Sequence, residues 1–131
     1  MRSISLGRSR TLVLAAVTFP LDDSVRPPFA SLLPAYGPSE RQQGEADARE
    51  LIRLGCAEFC CVGPEAELLH DALDEIVERE GALEVVTTWI QEPAEASAYF
   101  VHAAGGGRLD LLAAIDAHPE LRERVEGEAL R

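Results

Sequence analysis

The sequence predicts one small α/β domain: a short, mostly parallel sheet of about three to four strands in a three-layer arrangement, flavodoxin-like or Rossmann-like. Three observations predict it. Short apolar, β-branched runs alternate with helical patterns. Glycine or proline punctuates nearly every change of pattern. The 131 residues, 47% hydrophobic but only 5% aromatic, suffice for one aliphatic core. Such alternation favours parallel strands joined by right-handed crossovers.

Residues 11–17 form a continuous apolar run, the pattern of a strand buried on both faces, ended by Pro20. Arg2, Arg8 and Arg10 ahead of it mimic a secretion signal. The run is short, however, and Thr18-Phe19-Pro20 supplies no small-x-small cleavage site, which favours the strand. Segment 20–43 carries Pro20, Pro27, Pro28, Pro34 and Pro38 and reads as a long Pro-rich loop. Phe29, Leu32, Leu33 and Tyr36 within it indicate a lid or covering segment that packs.

A helix over 45–54 presents Ala46, Leu51 and Leu54 on one side and stops at Gly55. Residues 57–62 read as the second strand. Gly63-Pro64 then opens a helix over 65–80, the clearest in the chain. Leu68, Leu69, Ala72, Leu73, Ile76 and Val77 make its apolar stripe, and Glu65 and Glu67 suit the positive end of its dipole. A third strand over 83–89, a helix from Pro93 to Gly105, and two C-terminal helical pieces within 108–131 complete the order. Residues 1–8 or the Pro-rich loop have room for a fourth strand, and a homodimer would extend the sheet at an edge.

The formal net charge is −11. Such a surface repels phosphate backbones and anionic bilayers, so neither nucleic acid nor a membrane is expected as a partner. It attracts and steers a basic protein partner. The chain has no lysine, which removes Schiff-base chemistry and the phosphate-loop lysine. Cys56, Cys60 and Cys61 are an odd set within six residues, not a disulfide framework. Taken with His70 they match no usual zinc spacing, so neither a metal nor a cofactor is expected. They read as small buried thiols of a core strand, which suits a reducing cytoplasmic setting.

Ligands of open α/β sheets bind beyond the carboxyl ends of the strands. The candidate contacts are therefore Asp22 and Asp23 after the first strand, and Thr87, Thr88 and Trp89 at the third. His70 and Asp74, four apart on the intervening helix, join them. The Asp22-Asp23 pair resembles the acidic pair of response-regulator receiver domains. That pattern needs an aspartate where Gly63 and Thr87 stand and a lysine, so turn chemistry accounts for the pair. His70 with Asp74 reads equally as an exposed ion pair. Trp89 is either a cover for the sheet end or a half-exposed contact anchor. No nucleophile elbow, Walker or dinucleotide fingerprint is present, and no catalytic residue is assigned.

Cys61-Val-Gly-Pro64, Leu69-His-Asp-Ala-Leu-Asp74 and Val86-Thr-Thr-Trp89 together resemble an uncharacterised family of small bacterial α/β proteins. In that family a strand ending in Gly-Pro precedes a helix with a His-Asp pair, and a later strand ends in Thr-Thr-Trp. A histidine often follows the tryptophan there. Ile90 stands in its place here, which removes support for catalysis at that corner. The resemblance implies the fold and carries no activity.

The expected function is thus a non-catalytic protein-interaction module of the immunity, antitoxin or defence-associated kind, rather than an enzyme. A small-molecule site at the strand tips and a homo-oligomeric structural subunit are the alternatives.

Overall fold

The computed structural model describes residues 2–7 and 9–131. Six strands form one sheet: β1 (Arg2–Leu6), β2 (Arg10–Leu14), β3 (Phe29–Pro34), β4 (Cys56–Val62), β5 (Val86–Ile90) and β6 (Asp110–Ala113). Four helices join them: α1 (Pro38–Arg53), α2 (Ala66–Arg79), α3 (Pro93–His102) and α4 (Pro119–Ala129). The spatial order is β1-β2-β6-β3-β4-β5. Only β1 is antiparallel to its neighbour; β2, β6, β3, β4 and β5 are parallel. No helix among the described residues is long and apolar enough to cross a membrane.

Three expectations are corrected here. The sheet has six strands, not three or four. The stretch 20–43 is not one loop: it contains β3 and the start of α1. Its prolines mark element ends. Pro27 and Pro28 precede β3, Pro34 closes it, and Pro38 begins α1, where a missing N–H costs nothing. The region 108–131 is not all helix, because β6 occupies Asp110–Ala113. Its Leu-Leu-Ala run is too short for periodicity to separate strand from buried helix. Tertiary context decides: all four residues are buried between β2 and β3.

The alternation of strand side chains divides the core. Leu12, Leu14, Leu32, Cys60, Val62 and Leu111 pack with Phe100 and Val101 of α3 and Leu121 and Val125 of α4. Val13, Leu33, Phe59, Cys61 and Leu112 pack with Ala48 and Leu51 of α1 and Leu69 and Leu73 of α2. The molecule is therefore three layers, with helices on both faces of the sheet.

The chain steps from β3 to β4 to β5 with α1 and α2 on one face. It then reverses direction and changes face, so that α3 covers the return to β6. Reversing both keeps the crossovers of one hand. The segment 15–28 passes over β6 on the α1/α2 face, where Val17, Leu21 and Val25 pack. It is an irregular covering element, but the apolar residues on which one was expected, Phe29, Leu32 and Leu33, belong to β3 instead. The strand order is neither of the two common doubly wound orders, in which the first strand lies inside the sheet; here the last strand does.

Candidate functional site

The two strands at the centre of the reversal are β3 and β6. The helices that follow them, α1 and α4, leave toward opposite faces, which opens a crevice between the carboxyl ends of these strands. The crevice has a volume of about 270 Å3 and is lined by the end of β3, by α1 and by the segments that follow β2 and β6. Ala16, Val17, Leu33, Ala114 and Ala117 give it an apolar floor. Glu40, Gln43, Asp47 and Asp116 stand around it.

Each polar group has an identifiable holder. Gln43 Nε2 donates to Asp47 Oδ1 at 3.1 Å, one helical turn along α1. Burial is the first cause raising the Asp47 carboxyl above its ordinary value, and the Gln43 bond only partly offsets it. Asp116 Oδ2 accepts the Ala16 amide at 3.0 Å, which ties the end of β6 to the end of β2. Glu40, in the first turn of α1, accepts the Tyr36 amide at 2.9 Å through one oxygen. Its other oxygen lies 2.5 Å from His118 Nε2. The Tyr36 ring stacks on His118 with centroids 4.2 Å apart. Tyr36, Glu40 and His118 thus form a clasp from α1 to the start of α4, at one end of the crevice. Burial first, then the charges of Glu40, Glu120 and Glu92, raise the Tyr36 hydroxyl, and Arg124 opposes them.

The rule that ligands sit at strand tips selects this place, but none of the residues named for it by sequence lies there. Asp22 and Asp23 belong to the 15–28 crossing, where Asp22 accepts the Ser24 amide in a local turn at 2.8 Å. The Ser24 hydroxyl first, and this amide second, lower the Asp22 carboxyl's pKa. The other five gather elsewhere. His70 lies 3.1 Å from Asp71 and 3.6 Å from Asp74, and Thr87 donates to Asp74. Trp89 is partly exposed beside them on the α2 face of β5. Thr88 points through the other face and donates to Glu58 at 3.2 Å. The strands β3 and β4 lie between β6, over which the Asp22 segment crosses, and β5, so the sequence-named residues form two separate groups.

Sequence reasoning missed Tyr36, Glu40, Gln43, Asp47, Asp116 and His118 for one reason. Their positions follow from β3 and β6, neither of which it placed, although it left room for a strand in the Pro-rich stretch where β3 lies. The available signal was the Pro-bounded apolar run at 29–34, fully buried in the structure.

Glu58 was also unforeseen. It is 4% exposed and accepts from four groups. The Tyr99 hydroxyl lies at 2.6 Å, the Gly105 amide at 2.9 Å, the Thr88 hydroxyl at 3.2 Å and the Cys60 thiol at 3.6 Å. Burial and the bond to Glu58 push the Tyr99 hydroxyl far up. The carboxylate pins α3, the turn at Ala104–Gly107 and β5 to β4, and no buried side-chain polar atom among the described residues lacks a partner.

A larger groove of about 400 Å3 runs between α1 and α2, past Glu45, Arg49, Glu75 and Arg79. All four are in ion pairs, and the groove lies away from the strand tips, so it is an ordinary solvated seam. No group of three or more His, Cys, Asp or Glu among the described residues could hold a metal ion.

No curated protein and no solved structure matches the chain. Residues 14–129 match the domain of unknown function DUF7684, a span that includes all four helices and the strands β3, β4, β5 and β6, and the chain belongs to that family.

Proposed function

We propose that the chain is a binding domain that holds a small organic cation, an ammonium or guanidinium on a short apolar arm, in the crevice between β3 and β6. The observation that carries this reading is the crevice's place at the reversal of strand order, where α1 and α4 diverge. Its chemistry supplies the class of ligand. An apolar floor suits a hydrocarbon arm, and Asp47 and Asp116 stand at the wall to accept from a cation. The lining has no serine, threonine or cysteine, and His118 is engaged by Glu40. Both facts support binding in preference to nucleophilic catalysis.

The test is thermal unfolding with butylamine and butylguanidine against butyrate and butanol, all at the same millimolar concentration. The cations raise Tm, and the other two do not. Asp47→Asn removes a formal charge and Ala114→Leu fills the floor, so each abolishes the cation-dependent shift. Equal shifts from cation and carboxylate, or full shifts in both variants, would refute the reading.

A further inference from the structure

The strand β5 is the last of the sheet, so its outward amides and carbonyls have no strand to pair with among the described residues. Natural edges are blunted by lysine, proline, bulges or inward charges. Here β5 reads Val-Thr-Thr-Trp-Ile, with no charge and no proline, in unbroken register with β4 from Glu58↔Val86 to Val62↔Ile90. It is also apolar where it is open: Val86 is 49% and Trp89 39% exposed.

The surroundings of this edge differ from the rest of the molecule. Residues 54–107, which comprise β4, α2, β5 and α3, contain eleven acids and one arginine, a net charge of −10. The remaining residues contain twelve acids and eleven arginines, a net of −1. Nearly all the excess charge is therefore on the half of the molecule that ends in β5. Glu67, Asp71 and Asp74 on α2, Glu84 before the strand, and Glu92 and Glu95 after it are all exposed. A charge-free strand framed by carboxylates offers backbone pairing along its length and attraction at both ends.

From this juxtaposition we infer that β5 is a docking edge for an extended, arginine- or lysine-flanked segment of a partner protein, which adds to the sheet as a seventh strand. Alternate residues of that segment would meet Trp89 and Thr87 on one face and Val86, Thr88 and Ile90 on the other. Its basic flanks would meet the carboxylates. A second copy of this chain is disfavoured as the occupant, because it would bring one acidic half against another. The inference is independent of the crevice, which lies across the sheet.

Trp89 is the chain's single tryptophan, so the edge has its own reporter. The experiment titrates the full chain with three capped peptides that share an alternating Val-Thr core. One is flanked by two arginines at each end, one by two glutamates, and one is arginine-flanked but N-methylated along one edge. Light scattering of the free chain and amide exchange of β5 accompany the titration. The arginine-flanked peptide shifts Trp89 emission, protects the β5 amides and weakens steeply with salt. The other two bind at least about tenfold more weakly, and Val86→Lys, a change at an exposed position, weakens the first peptide by a similar factor. Three results overturn the inference: no Trp89 shift with any peptide, equal binding of the arginine and glutamate forms, or a dimer of the free chain that Val86→Lys dissociates. The last would assign the edge to a second copy.

Discussion

Asp110 shows how one side chain can organise three strands. It opens β6 and is 5% exposed. It accepts the Thr11 amide of β2 at 2.9 Å, and the Arg26 amide and Nε ahead of β3 at 3.0 Å each. Burial would push its carboxyl up. The Arg26 guanidinium and the two amides outweigh that and hold it below the ordinary carboxylate value. A carboxyl depressed in the folded state stabilises the fold above its unfolded value, and that contribution is lost as pH falls through the folded value. The chain should therefore lose stability below about pH 4. Asp110→Asn presents a donor where an acceptor is needed, and should cost about 2–4 kcal/mol at pH 7. It should also flatten the acid limb of the stability curve, and urea denaturation of both proteins from pH 3 to 7 measures the two effects.

The joint between β3 and β4 is the same kind of device at the scale of elements. Gly63 follows β4 with φ +110°, and a Cβ there would stand 2.9 Å from the Ala35 carbonyl oxygen. That oxygen accepts the Glu65 amide at 2.8 Å, as α2 begins. Gly63→Ala should therefore displace the tip of β3 as well as strain its own turn, at a cost of roughly 2–3 kcal/mol. Native-state hydrogen exchange should show the loss of protection spreading to β3. The sequence displayed some of these elements and hid others for physical reasons. The stripe of α2, with Leu69, Leu73 and Val77 buried, was legible because fourteen residues sample four turns. The strand β4 was legible because Gly55 and Gly63 bracket an apolar run. The strands β3 and β6 were not: prolines crowd the ends of one, and the other is four residues of which three, Leu-Leu-Ala, are good helix formers. The crevice depends on those two strands. Of the residues assigned to the strand tips, Asp22 and Asp23 lie in the 15–28 crossing, while Thr87, Thr88 and Trp89 lie on β5 with His70 and Asp74 on the neighbouring α2.

Across the whole molecule the two faces of the sheet are sealed alike, and the cysteines sample both. Cys56 and Cys61 face α1 and α2, while Cys60 faces α3 and α4. Each is at most 4% exposed. Burial pushes the Cys56 and Cys61 thiols up to about 12 and raises Cys60 as well. Thiolate is therefore scarce at neutral pH, and reagent has no path to either face without opening the fold. All three thiols should label at one rate, with a denaturant dependence equal to that of global unfolding. A fast-labelling Cys60 at pH 8 would reveal separate opening of the α3/α4 face.

The position of β6 has a consequence for how the chain is made. Synthesis proceeds from the N-terminus, and β2, β3, β4 and β5 all leave the ribosome before the strand that lies between the first two. The pairings that join β1-β2 to β3-β4-β5 therefore cannot form until residues 110–113 are made, and they span the greatest sequence separations in the sheet.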